Sequence, residues 1–330
     1  MELLLLITSF AIILAGALFF TNAIEWVGHK LGLGEGAVGS LLAAVGTALP
    51  ETLIAIVALV GATKSEDVAI GAIVGAPFLL ATLAMGLVGL TAYLYRRRRA
   101  QGIELNAHVP TLDRDLAFFF VFFGLGLVLG FGAPEEIRLP AGVVFFCAYV
   151  AYVAWTLRGG GDVQAEETLN PLIMEPRRDR KLEPSVGIAV LQTLVGLGAM
   201  IGGAHLFVEE LLHVAEDIGV EAIVLSLILA PLATELPEKV NSFFWVRDGK
   251  DSLALGNITG AMVFQSTIPV GIGLIFTDWE LSGNAAVSVG LGLAGGALAY
   301  WALRLRDRFE LAPVLGWLAL YAVFIVIVAV

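Results

Sequence analysis

Two octapeptides carry residues with chemistry to do: "GTALPETL" from Gly46 and "ATELPEKV" from Ala233. Each sets a glutamate, Glu51 or Glu238, directly after a Leu-Pro pair inside an apolar run. A charged side chain at mid-bilayer costs about 2.5–3.5 kcal/mol on insertion scales, so it is normally paired or functional. Proline removes a backbone donor and clashes with the turn before it. Breaks are therefore expected near Pro50 and Pro237, freeing carbonyls of Gly46, Ala233 and their neighbours toward a protein-lined cavity. Freed carbonyls, threonine hydroxyls and carboxylates form an oxygen-only ligand set. Hard cations such as Na⁺ and Ca²⁺ prefer that set, whereas soft metals want sulfur or imidazole. A single such acid would serve as a helix–helix link; two in matching positions point to a site.

The elements that position these residues follow from composition. The chain has 330 residues, 58% hydrophobic and 15% charged, with net charge −11 and mean hydropathy +0.88. The apolar excess arrives in runs of about 20 residues, the length of a helix crossing a bilayer. The first run, from Leu3, follows Glu2 and lacks a basic flank, so a retained helix is expected rather than a signal peptide. The single cysteine, Cys147, excludes an internal disulfide and a cysteine-rich metal cluster. This is an all-α membrane protein. Ten transmembrane helices are expected at 2–24, 36–61, 68–95, 114–133, 138–157, 185–209, 219–246, 253–276, 282–303 and 310–330. A polar linker, 158–184, separates a first five-helix half, 1–157, from a second, 185–330.

Lysine and arginine choose the orientation. With both termini outside, the cytoplasmic loops collect Lys30, Arg96 to Arg99, Arg114, Arg158, Arg177, Arg178, Arg180, Lys181, Arg247, Lys250, Arg304, Arg306 and Arg308. The outer face keeps Lys64 and Arg138, and its loops are acidic, from Glu66 and Asp67 to Glu209, Glu210, Asp278 and Glu280. Those acids serve as surface solvation or as an electrostatic funnel for cations. The expected location is the cell membrane, with the lipid bilayer and inorganic cations as partners and no nucleic acid.

The two motifs belong to a repeat. Residues 32–51 fall on 219–238 without a gap, and after a shift of two "EDVAIGAIVGA" from Glu66 falls on "DSLALGNITGA" from Asp251. A period of five spans makes the second copy cross in the opposite sense. That is an inverted-topology repeat, the plan of many secondary transporters. The G-x-x-x-G patterns, Gly71/Gly75 and Gly256/Gly260, allow close helix approach.

The pair "GTALPE" and "ATELPE", each followed by a G-x-x-x-G span, resembles the α-repeats of the cation/calcium exchanger superfamily, the sodium/calcium exchangers. The resemblance implies two inverted five-helix halves, with ions bound between helices 2, 3, 7 and 8, and broken helices 2 and 7. It places the acidic ligands on Glu51 and Glu238 and the motif threonines on Thr47 and Thr234. The usual serine of G-T-S-L-P-E is Ala48 in one copy and Glu235 in the other. The later G-S-N-I-F-N/D pattern becomes "GAPFLL", ending at Leu80, and "GAMVFQ", ending at Gln265. Asn257 keeps the usual Gly-Asn opening, where the first copy has Ala72. The candidate cation ligands are thus Glu51, Glu238, Glu235, Thr47, Thr234, Gln265 and Asn257, with the second half contributing more. Lys239 stands four residues after Glu235, and either snorkels toward the cytoplasm or acts as an internal counter-ion.

The leading functional reading is a secondary antiporter, not an enzyme, that moves a divalent cation, Ca²⁺ first, against Na⁺. Proton coupling is the alternative, because dehydration raises a carboxylate's pKa. No cofactor is expected beyond the transported Na⁺, Ca²⁺ or H⁺, and no G-x-x-x-x-G-K-[ST] phosphate loop occurs. A channel would need a continuous pore. An intramembrane enzyme would draw on His29, His205 or His213, none of which has a metal-spaced partner. Replacing Glu51 or Glu238 by Gln is expected to abolish exchange in vesicles while leaving insertion and monodispersity in detergent intact.

Overall fold

The computed structural model describes residues 1–30, 43–158, 170–175, 184–281 and 283–329. Among these the chain forms ten helical rods and no strand. They are α1 (Glu2–Lys30), α2 (Ala43–Val60), α3 (Glu66–Leu94), α4 (Val109–Leu129) and α5 (Glu135–Arg158), then α6 (Val186–Ile218), α7 (Ala222–Arg247), α8 (Asp251–Phe276), α9 (Gly283–Leu305) and α10 (Leu311–Ala329). Seven of them, all but α2, α4 and α7, are long and apolar enough to cross a membrane. In hydrocarbon every backbone donor and acceptor must be satisfied within the segment, and the helix does this. The central helices α3 and α8 are the most buried, and α5 and α10 the least.

The expected breaks at the two Leu-Pro-Glu motifs are not interruptions. Pro50 lies within continuous α2 and Pro237 within continuous α7. Each proline deletes one intrahelical bond, and the packed turns on either side keep the rod intact. The irregularities fall instead in α3 and α8, at matching places. In α3 a π-helical turn spans Leu80–Ala84, three residues after Pro77. In α8 the regular helix stops at Gln265 and restarts at Ile268 with Pro269 in its first turn. Pro269 has no N–H to give the Gln265 carbonyl, so the helix cannot run through. The hydroxyl of Thr267 bonds back to the Val263 oxygen at 2.7 Å and Phe264 at 2.9 Å. Leu80 and Gln265 are the repeat-related positions.

Three boundaries differ most from expectation, and the first is α1, which runs on to Lys30 rather than ending at 24. α4 starts at Val109, ahead of residue 114, because Pro110 suits the first helical turn. α6 runs on to Ile218, where Gly219 closes it at φ +69°, so the acids from Glu209 to Asp217 are helical and Glu210 is buried rather than in an exposed loop. The linker 158–184 falls largely outside the described residues, and its described part is anchored rather than free. Trp26 Nε1 donates to the Asn170 oxygen at 2.8 Å, and Met174 N to Gln192 Oε1 at 2.8 Å, which ties the segment to α1 and α6.

Helix pairs recur in corresponding couples: α1 packs on α6, α3 on α9 and α10, and α8 on α4 and α5. Two loops tie one end of this assembly together. Arg99, beyond α3, forms a two-pronged pair with Asp251 at the start of α8, at 2.9 and 2.8 Å, both side chains fully buried. Asn106 N also donates to Asp251 at 2.9 Å.

The first G-x-x-x-G face is closely packed, whereas residues 36 and 40, which by the repeat would meet the second face, lie outside the described residues. A Cβ on Gly71 would lie 2.7 Å from the Ile223 oxygen, and one on Gly75 2.5 Å from the Leu227 oxygen. There α3 and α7 are in backbone contact, and Ser226 Oγ donates to the Val68 oxygen at 2.7 Å. At the repeat-related Gly256 and Gly260 a Cβ would meet no described atom within 4 Å. Gly75→Ala is therefore expected to lower the thermal midpoint of the detergent-solubilised protein, by about 1–3 kcal/mol of overpacking. Differential scanning fluorimetry reads that midpoint.

Candidate cation site

Four side chains from three helices meet where α2, α7 and α8 converge. Glu51 comes from α2, Glu235 and Lys239 from α7, and Gln265 from the end of the first half of α8. They are 3%, 1%, 1% and 0% exposed in that order. Helical spacing puts Glu235 and Lys239 on one face of α7, one turn apart. Lys239 Nζ lies 3.3 Å from Glu235 Oε2. Gln265 sits where Pro269 ends the helix, so its side chain projects from a helix end into the convergence. Its Nε2 donates to Glu51 Oε1 at 2.8 Å and also to Glu235 Oε1. An amide nitrogen has two hydrogens, and here each serves a different carboxylate. Gln265 Oε1 accepts no hydrogen bond among the described residues.

The other expected ligands stand differently. Thr234 is buried, and its hydroxyl donates to the Ala230 oxygen of its own helix at 3.0 Å. Asn257 Nδ2 donates across to Ser242 Oγ on α7 at 3.0 Å. The side chains of Thr47 and Glu238 lie outside the described residues, although their backbones belong to α2 and α7. Among the described residues no three His, Cys, Asp or Glu side chains converge. The described centre is thus two carboxylates, one ammonium and one amide. Lys239 is held inward by Glu235, and the snorkelling alternative does not apply to a side chain 1% exposed.

Matching of the whole chain to known proteins gives its family. The sequence profile described as "Sodium/calcium exchanger protein" covers residues 1–158 and 188–330. The chain belongs to the sodium/calcium exchanger family. Among its relatives is "Sodium/calcium exchanger MaX1" of Methanosarcina acetivorans, 22% identical over 292 residues, which span 83% of this chain and 82% of that protein. Among solved structures it resembles the H⁺/Ca²⁺ exchanger CAX, with TM-score 0.72 and 19% identity over 98% of this chain and 81% of that one. It also resembles the sodium–calcium exchanger NCX_Mj, with TM-score 0.61 and 20% identity over 99% of both chains. At such identities the structural likeness concerns the fold.

This family member has a second buried polar cluster that the sequence reading did not single out. Asp115 on α4 is 1% exposed and accepts from Thr259 Oγ1 on α8 at 2.7 Å, Tyr152 OH on α5 at 2.8 Å and Arg114 Nη2 at 2.9 Å. Thr259 sits between Gly256 and Gly260, where the first copy has Val74. That Val-to-Thr difference was the available signal, and only the fold pairs it with an acid on another helix. The cluster fixes α8 against α4 and α5, and through α8 it sets the position of Gln265.

Lys239 is the expected weak point of the main cluster. Removing one partner of a buried ion pair costs about 3–5 kcal/mol, because the remaining charge is left uncompensated. Lys239→Met should therefore lower the thermal midpoint in detergent. Saturating Ca²⁺ should restore a larger share of stability than it adds to the wild type, since a cation can replace the ammonium beside Glu235. Thermal scans with and without Ca²⁺ read both effects.

Proposed function

We propose that the protein is a secondary active antiporter of the cell membrane. In this reading it moves a divalent cation, Ca²⁺ first, against Na⁺ by alternating access. The observation that carries the reading is the Gln265 amide between Glu51 and Glu235, three buried side chains from three helices. Carboxylate and amide oxygens at one point suit a hard cation stripped of water. Glu238, Thr47 and the carbonyls freed by Pro50 and Pro237 complete the proposed ligand set, with Thr234 and Asn257 available if their hydroxyl and amide turn from Ala230 and Ser242. The paired helix contacts support an arrangement as two inverted five-helix halves, and the charge of the loops supports termini outside.

The mechanism builds on the packed glycine face of α3. At the end carrying Gly71, Gly75 and Ile223, α3 and α7 are in backbone contact, which seals that side. By the loop charges this is the outer side. The repeat-related face, Gly256 and Gly260 on α8, lies toward the cytoplasmic end in this reading. Closing the second face and parting the first would present the same carboxylates to the opposite side, the exchange of roles that an inverted repeat permits.

A second reading puts H⁺ in place of Na⁺. Thr234 and Asn257, the neutral side chains that would suit Na⁺, are both engaged within the protein, whereas the carboxylates can take either a cation or a proton. Reconstituted vesicles decide between the two. An outward Na⁺ gradient at equal pH is expected to drive Ca²⁺ uptake. Uptake driven by a pH gradient without Na⁺ would establish the second reading, and Ca²⁺ flux independent of both gradients, and of Ca²⁺ on the far side, would remove the antiporter.

A further inference from the structure

We propose that the adjoining ends of α3 and α9 form a docking surface for an anionic phospholipid, whose phosphate sits on Arg97, Arg98 and Arg308. The surface is separate from the cation site and does not depend on the antiporter reading. It shows first as an uneven sharing of acids. Arg99, Arg114, Arg138, Arg247, Arg304 and Arg306 each pair with an aspartate or glutamate. Arg96, Arg97, Arg98 and Arg308 have no carboxylate partner among the described residues. Their charge is left for something outside the chain.

The fold gathers these four on one platform. Arg96 to Arg98 turn off the end of α3, and Arg308 follows α9. Leu105 N donates to the Asp307 oxygen at 2.9 Å and Phe309 N to the Ile103 oxygen at 2.8 Å, so the two following loops run side by side. The buried Arg99–Asp251 pair pins the first loop, and the Arg99 guanidinium lies 5.5 Å from the Phe309 ring centre of the second. Glu104 and Asp307 are the exposed acids there, so the four arginines keep an excess of positive charge. The neighbours select a lipid over a soluble anion. Leu94, Tyr300, Trp301 and Leu305, at the same helix ends, are exposed apolar side chains. The Arg96 guanidinium lies 4.1 Å from the Tyr93 ring centre, and that of Arg306 5.8 Å from Trp301. Aromatic rings beside basic residues mark the level of the lipid headgroups. A phosphodiester matches the guanidinium fork, and the chains it carries cover the exposed leucines. A soluble anion would leave them bare. Basic clusters beside a membrane helix draw anionic lipid in this way.

The test uses the full-length protein in detergent, with phosphatidylglycerol and phosphatidylcholine of identical chains as probes. Native mass spectrometry counts the lipid retained, and thermal scans read the midpoint that each lipid gives. Wild type is expected to retain phosphatidylglycerol over phosphatidylcholine, and to lose that preference in high salt. Arg97→Gln/Arg98→Gln/Arg308→Gln should weaken phosphatidylglycerol binding at low salt by at least about tenfold and leave phosphatidylcholine binding unchanged. Arg247→Gln/Lys250→Gln, which removes two basic residues beyond α7, should keep the wild-type preference. Equal retention of both lipids by the wild type overturns the proposal, and that outcome requires no variant to fold. An equal loss in the two variants would make the attraction a diffuse charge effect. A midpoint raised as far by inorganic phosphate alone would make the surface an ion site. Either result also overturns the proposal.

Discussion

Bringing two carboxylates together inside a membrane protein is electrostatically unfavourable, and the Gln265 amide between Glu51 and Glu235 is what makes the meeting tolerable. Much of the surrounding structure keeps that amide where it is. Pro269 ends the helix at Gln265, so the side chain projects from a helix end rather than lying along a helix face. The hydroxyls of Ser266 and Thr267 turn back onto the preceding carbonyls and satisfy the groups exposed by the interruption. Further along α8, Thr259 is fastened to Asp115, which Tyr152 also holds. On the opposite side, Gly71 and Gly75 let α3 approach α7 closely, which sets the position of Glu235 and Lys239.

Much of this was legible in the sequence because the costs that produce it are local. An acid after Leu-Pro within an apolar run is expensive wherever it occurs, so Glu51 and Glu238 marked themselves. The departures at Glu235, Gln265 and Lys239 stood out against the repeat, and a helical spacing of four already joined Glu235 to Lys239. The position of the helix irregularities was not legible. Pro50 and Pro237 drew attention as breakers, yet a single missing bond inside a packed rod is absorbed. Pro77 and Pro269 look no stronger in one dimension, and their effect depends on where the following turn can widen or stop. Asp115 was hidden for another reason. It stands beside Arg114 at the expected start of the fourth span, and its burial depends on α4 beginning a turn earlier and on a threonine 144 residues away.

The two copies of the repeat have diverged in kind. In the first, Ala48, Ala76 and Leu80 are apolar, and the copy contributes a close-packed helix face together with Glu51. In the second, Glu235, Lys239 and Gln265 are polar and meet one another and Glu51.

The Arg99–Asp251 pair bears on how the chain is made. Its partners are 152 residues apart and lie in different halves. At about 5–20 residues per second, Asp251 is synthesised about 8–30 s after Arg99. During that interval the guanidinium stays at the aqueous surface, because an arginine without a carboxylate does not settle into a dry interior. The end of α3 is thus completed only when α8 arrives. A ribosome that stops within the linker releases a chain still waiting for its closing ion pair.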